Sequence, residues 1–236
     1  MQEIQSYLDS TYLNKTEKTD FEFIKNFVLE AIEHDFKLVM IRPEIVSFAR
    51  NIIDSCSATT LVGTVIDFPF GIASLDDKLK EAKKAIADGA NELDFVANYN
   101  LFKQGKIDFI EQEVLSCTKY CLFENKTIKW IIESAALSDK EIISICNVIK
   151  NIVVSNFSKD DFNKVFLKSS TGFYATENNL SNGATKHVIK IMVENSFPLP
   201  VKASGGVRSA KDAIEMLNLG VNRIGTSSAL KIINEV

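Results

Sequence analysis

A lysine closes the apolar, strand-like run Val165-Phe166-Leu167-Lys168, directly ahead of the hydroxyl-rich turn Ser169-Ser170-Thr171-Gly172. The segment Val201-Lys202-Ala203-Ser204-Gly205-Gly206 repeats the arrangement. In each, a cation that ordinarily stays in water is carried by residues that favour burial. Two lysines facing one cavity lower each other's proton affinity, and desolvation pushes the same way. An amine held neutral in this manner is a nucleophile towards a carbonyl carbon. At an ordinary strand end, either lysine alone would instead be a cation reaching out to solvent.

Three carboxylates stand at comparable places. Asp9 follows the first apolar run, Asp94 lies inside Glu92-Leu93-Asp94-Phe95-Val96, and Glu133 ends Trp130-Ile131-Ile132-Glu133. An isolated buried charge is costly, so these three and the two lysines are expected to converge and offset one another. Such a cluster serves either acid/base chemistry or a buried ion-pair network that only fixes packing. Asp9 and Glu133 suit a supporting place as well as a chemical one.

Gly205-Gly206 and Gly225-Thr226-Ser227-Ser228 each follow an apolar run. Glycine lets backbone amides approach an anion closely, and the Ser227 and Ser228 hydroxyls add donors. Gly172 supplies a further amide. Two such loops at consecutive strand ends are suited to a phosphate, although glycine pairs also serve plain turns. Arg208 reads as part of an outer helix and is left out of this site.

The elements that must position these groups alternate short β-branched runs with longer amphipathic stretches, the pattern of repeated βα units. Eight strands are predicted, at residues 6–8, 37–41, 60–66, 92–97, 128–133, 164–168, 200–203 and 223–225. Leu75, Leu79, Ala82 and Ile86 space one helix that Gly89 stops, and Gly220 stops another over residues 210–219, with Ser204 or Ser209 as a helix cap. The pattern predicts an α/β fold, a single (β/α)8 TIM barrel with an N-terminal helical segment, forming one catalytic domain over residues 1–236. A doubly wound open sheet is the alternative. Residues 151–163 read as a polar surface insertion.

Composition narrows the function classes. The 236 residues are 46 % hydrophobic and 25 % charged, with a formal net charge of −4. That balance offers nucleic acid no basic field, so an anionic ligand must be caught locally. No apolar run reaches the roughly 20 residues of a membrane helix, and a cytoplasmic protein is expected. Cys56, Cys117, Cys121 and Cys146 lack metal-ligand spacing with His34 or His187, so reduced thiols, no metal and no cofactor are expected.

VFLKSSTGF resembles the Schiff-base strand of the deoxyribose-phosphate aldolase family, and VKASGGVRSAKDAIEML resembles that family's next strand, loop and helix. VGTVIDFPFG, GANELDFVANYN, KWIIESAALSD and RIGTSSA continue the similarity in the same order over most of the chain. The resemblance implies reversible cleavage of 2-deoxy-D-ribose 5-phosphate to D-glyceraldehyde 3-phosphate and acetaldehyde. It makes Lys168 the Schiff-base nucleophile and Lys202 the neighbouring ammonium that depresses its proton affinity and assists proton transfer. Asp94 falls on the family's catalytic aspartate, as general acid/base. Thr11, in Leu8-Asp9-Ser10-Thr11, aligns with a hydroxyl residue of the family's substrate site. A homodimer is a family expectation. Phe70 and Met40 stand where other residues are usual, Ser10 where histidine is frequent, and Asp67 adds an acid expected beside the pocket. Two other readings share these residues: a Schiff-base aldolase for another phosphorylated sugar, and a catalytically silent barrel that binds a sugar phosphate.

Overall fold

The computed structural model describes residues 3–14, 19–176 and 182–236. Eight parallel strands close into a barrel in chain order: β1 (Leu8–Tyr12), β2 (Leu38–Ile41), β3 (Leu61–Ile66), β4 (Glu92–Val96), β5 (Thr127–Ile131), β6 (Val165–Lys168), β7 (Val201–Ser204) and β8 (Arg223–Thr226). Closure comes from the pairing of β1 with β8, where Asp9 stands opposite Gly225. The open-sheet alternative is thereby excluded. Outside the strands, the described residues form helices α1 (Phe21–Glu33), α2 (Val46–Ser55), α3 (Leu75–Ala87), α4 (Tyr99–Lys103), α5 (Ile107–Phe123), α6 (Asp139–Asn156), α7 (Lys186–Ser196), α8 (Ala210–Asn218) and α9 (Ala229–Asn234). A 3-10 turn, Ile4–Tyr7, is the N-terminal helical segment.

Strand period divides each wall residue by residue. Val39, Val62, Leu93, Phe95, Trp130, Leu167, Ala203 and Ile224 pack outward with the helices in one large core. On the inner face, Leu38, Met40 and Val65 form a separate apolar cluster. A side chain at Gly63 would strike Met40 and Leu38, so glycine there gives those two inner residues their room. Helix starts are fixed locally. Ser138 and Glu141 form a reciprocal capping box on α6, and Asp20, Ser74, Thr185 and Ser209 cap α1, α3, α7 and α8. Gly89 and Gly220 follow their helices at positive φ, as a helix stop requires.

Several boundaries differ from the expectation. The first strand covers Leu8–Tyr12, so Asp9 lies within it instead of after it. Residues 151–163 are no insertion: Asn151 to Asn156 complete α6, a 3-10 helix runs over Lys159–Lys164, and Val153 and Phe162 are buried. Ser204 ends β7, which leaves Ser209 as the cap.

Helix α3 buries Lys78 together with Ala82 and Ala85, while Leu75, Leu79 and Ile86 are half-buried. Lys78 Nζ donates to Glu113 Oε1 at 2.5 Å and to the Val96 carbonyl at 2.6 Å, and lies 3.3 Å from Asp67 Oδ2. Burial pushes the Glu113 carboxyl up, against the pull of Lys78. Asp67, first residue of the β3–α3 loop, therefore faces Lys78, contrary to its expected place beside the pocket. Its carboxylate also accepts from the Ala73 amide. Removing the lysine leaves the buried Glu113 and the half-buried Asp67 without a counter-charge, and Lys78→Met is expected to destabilise the protein by about 3 kcal/mol. A chemical-denaturation midpoint equal to that of the wild type would contradict the assignment.

Candidate active site

The barrel rule places working groups at the C-terminal strand ends, and the inner face of β1 and β4 to β8 carries a chain of charge leading there. At the far end, the Arg223 guanidinium donates to Glu92 Oε1 at 3.1 Å and to Asp9 Oδ1. Lys129 Nζ lies 2.6 Å from Glu92 Oε2 and donates to Asp94 Oδ1 at 2.7 Å. Lys202 Nζ donates to Asp94 Oδ2 at 2.8 Å and lies 2.6 Å from Asp9 Oδ2. The contacts of Asp9 Oδ2 and Glu92 Oε2 are ionic in distance without hydrogen-bond alignment. Lys168, last residue of β6, donates to Asp94 Oδ2 at 3.0 Å, the oxygen that Lys202 also holds.

These contacts decide the protonation states. Burial alone would raise the Asp94 carboxyl, but Lys129, Lys168 and Lys202 outweigh it and hold it well below the ordinary carboxylate range. Asp9 behaves alike: burial raises it, and Arg223, Lys202 and Lys129 bring it down to about 2. Lys129, despite burial, is raised by Asp94, Glu92 and Asp9. Lys168 goes the other way. Burial is the largest cause, the Lys202 and Lys129 charges add to it, and the opposing pull of Asp94 leaves the amine at about 8.

Above this cluster opens a cavity of about 340 Å³ lined by Thr11, Leu13, Gly172, Phe173, Asn182, Ser204, Gly205, Gly206, Arg208, Gly225 and Ser227 among others. Gly225 joins it to the charges below, because a side chain there would strike Lys202 Cε and Ser204 Oγ. Gly205 and Gly183 approach so closely that a Cβ on either would meet the other's backbone, and Gly172 and Gly206 also take positive φ. Of the residues expected at a phosphate, Gly172, Gly205, Gly206 and Ser227 line this cavity. Ser228 lies off it, with its amide donating to Thr226 Oγ1. A larger depression of about 790 Å³ opens at the opposite barrel end beside Phe162, Phe197 and Pro198, away from the lysine cluster.

Glu133 does not end β5 and does not join the ion cluster. Pairing stops at Ile131, and Glu133 turns out at φ 50° to accept from the Thr171 amide at 3.2 Å and from the Thr171 hydroxyl. Ser170 Oγ lies 2.6 Å from Glu133 Oε1 and 2.5 Å from the Asn182 carbonyl. One hydroxyl proton cannot serve both acceptors at once, so Ser170 donates to the one or the other. Burial raises the Glu133 carboxyl, against the hydrogen bonds from Ser170 and Thr171 and the pull of Lys168. Its place is to hold the loop after β6 against the end of β5.

Asp9, Asp94, Lys168 and Lys202 are thus brought together as expected, and four groups were missed. Lys129, in Thr127-Ile128-Lys129-Trp130-Ile131, carries the same signal as the other lysines, a cation inside an apolar strand. Arg223 and Glu92 carry it at strand starts. Arg208 lines the cavity from the loop ahead of α8, contrary to its assignment to an outer helix.

Comparison with known proteins bears on the family and the fold. The model of the DeoC/LacD family aldolases matches residues 4–232. The deoxyribose-phosphate aldolase of Caldicellulosiruptor saccharolyticus is 32 % identical over 234 residues, covering 99 % of this chain and 98 % of that one. The structure of QR15, an aldolase, aligns with a TM-score of 0.84 at 30 % identity, over 100 % of this chain and 96 % of that chain. The tetrameric deoxyribose phosphate aldolase of Aeropyrum pernix aligns with a TM-score of 0.81 at 28 % identity, over 98 % and 89 %.

Proposed function

The chain belongs to the DeoC/LacD family of aldolases, and we propose that within it the protein reversibly cleaves 2-deoxy-D-ribose 5-phosphate to D-glyceraldehyde 3-phosphate and acetaldehyde through a Schiff base on Lys168. The observation that carries this reading is the hold on the lysines. Lys129 and Lys202 each touch two carboxylates, whereas Lys168 has only a shared oxygen of Asp94, so its amine is the one that gives up a proton.

The free amine attacks the C1 aldehyde of the open sugar. Loss of water from the carbinolamine forms an iminium, with the Lys202 ammonium as donor to the departing hydroxyl. Asp94, touching both amines, relays protons through a water. The iminium then draws in the C2–C3 bond electrons as the C3 hydroxyl proton leaves, which releases the three-carbon aldehyde phosphate. Protonation at C2 and hydrolysis return acetaldehyde and the lysine. The iminium is the electron sink, so the sequence of steps draws on no metal.

Gly172, Gly205, Gly206 and Ser227 are proposed to bind the phosphate with amides and a hydroxyl, with Arg208 beside them and Thr11 facing the sugar. Asp9 keeps Lys202 in place, and Glu133 fixes the loop that carries Gly172. Residues 1–236 are taken as one catalytic domain acting in the cytoplasm, with a homodimer as the assembly. No helix among the described residues is long and apolar enough to cross a membrane.

An assay of acetaldehyde released from 2-deoxy-D-ribose 5-phosphate tests the substrate. Turnover is expected; cleavage only of some other phosphorylated sugar would move the assignment there, and binding without any cleavage would favour a silent barrel. The pH dependence follows from the amine. An ammonium is no nucleophile, so kcat/KM should rise about tenfold per pH unit below a limb near 8 and level off above it. A profile flat from pH 6 to about 9 would count against a free Lys168 amine.

A further inference from the structure

The charge cluster lies beneath the cavity and extends well away from it, and its composition is unbalanced. Asp9, Glu92 and Asp94 face Lys129, Lys168, Lys202 and Arg223, and none of the seven is more than 6 % exposed. They come from β1, β4, β5, β6, β7 and β8. The other two strands add only apolar side chains beside them, Leu38 and Met40 from β2 and Val65 from β3. Glu133, past β5, is hydrogen-bonded to Ser170 and Thr171 and forms no ion pair with the seven, although the Lys168 charge pulls on its carboxyl.

With every group ionised, four cations oppose three carboxylates, and a buried charge in excess is costly. The guanidinium keeps its proton. Lys129 and Lys202 each hold two carboxylates, so the cluster reaches neutrality when Lys168 is the free amine. The balance depends on groups that a ligand in the mouth does not touch. Arg223 occupies both Asp9 and Glu92 at the opening residue of β8, and Glu92 opens β4.

We propose that Arg223 and Glu92 are positioning residues whose opposite charges, set at the far end of the barrel, govern how readily Lys168 releases its proton. The inference rests on Lys168 as the nucleophile of the reaction above. Without Arg223, three cations meet three carboxylates and Lys168 is balanced as an ammonium. Without the Glu92 charge, the cation excess grows and Lys168 is driven further towards the free amine. Opposite displacements are the signature, because structural damage alone gives no reason for two variants to move one titration in opposite directions.

The test is an NMR titration of the Lys168 Nζ signal in the full chain, beside the pH profile of kcat/KM, for wild type, Arg223→Met, Arg223→Lys and Glu92→Gln. A unit charge acting through the barrel interior displaces a titration by about one pH unit. Arg223→Met should move the Lys168 titration and the rate limb up by about one pH unit, and Glu92→Gln should move both down by a similar amount. Arg223→Lys keeps the charge and should stay near the wild type. Titrations that coincide, or that move the same way in both variants, would overturn the proposal. Should Arg223→Met fail to fold, Glu92→Gln carries the test alone, and a missing downward shift overturns it. If the titrations move as stated and no variant cleaves the sugar phosphate, the charge balance stands and the aldolase reading falls. Activity with superimposed profiles gives the reverse.

Discussion

Lys168→Met is expected to lower kcat for cleavage of 2-deoxy-D-ribose 5-phosphate by about 10⁴-fold or more, while the protein gains stability at neutral pH. The rate loss follows from removing the atom that forms the covalent bond, for which no other group in the cluster is placed. Lys202 is held between Asp9 at 2.6 Å and Asp94 at 2.8 Å. The stability gain follows from linkage. Burial, with the Lys202 and Lys129 charges, brings Lys168 down to about 8 in the folded protein from the 10.5 of an ordinary lysine, so protonation favours the unfolded chain. That penalty is complete below about pH 8 and fades as the pH rises towards 10.5. Methionine removes it, a gain of about 3 kcal/mol at pH 7 before any change in packing. Equal chemical-denaturation midpoints at pH 7 would show that the amine is not held against its preference. Residual cleavage within tenfold of the wild type would place the covalent step elsewhere.

Asp94→Asn should damage both rate and stability. The carboxylate answers three buried cations, with contacts of 2.7 Å to Lys129, 3.0 Å to Lys168 and 2.8 Å to Lys202. An amide of the same shape removes the charge and turns one of its two ends into a donor facing a donor. Breaking a buried pair in this way costs about 3–5 kcal/mol. Loss of the proton relay is expected to lower kcat by about 10²–10⁴-fold. Denaturation midpoints and steady-state rates read the two effects separately. A variant as stable as the wild type would mean that the cluster does not depend on Asp94, and a rate within tenfold would remove it from proton transfer.

The parts of this site that were legible in sequence share one physical cause. A charge inside an apolar strand is too costly to be incidental, which singled out Lys168, Lys202 and Asp94. The same cost marks Lys129 and Arg223, but no glycine-rich turn follows Lys129 directly and Arg223 opens its strand, so neither carries the second signal that Lys168 and Lys202 share. Lys78 was hidden by helix periodicity: an aliphatic stem four residues from Ala82 faces inward whether or not its end is charged. Glu133 looked like the end of a strand because Ile131 and Ile132 precede it. Pairing decides that boundary, and pairing is not local. Residues 151–163 looked polar enough for an insertion because α6 exposes one face along its last turns. Arg208 was misplaced for a related reason, since the loop before α8 is set by Ser209 as the cap and not by the composition around it.

Borohydride trapping with 2-deoxy-D-ribose 5-phosphate, with and without chelator, followed by peptide mass analysis, bears most directly on the covalent chemistry. A reduced adduct on Lys168, formed to the same extent in chelator, is the predicted result. An adduct on Lys202 would reverse the roles of the two lysines, and no adduct on folded protein would contradict the Schiff base itself.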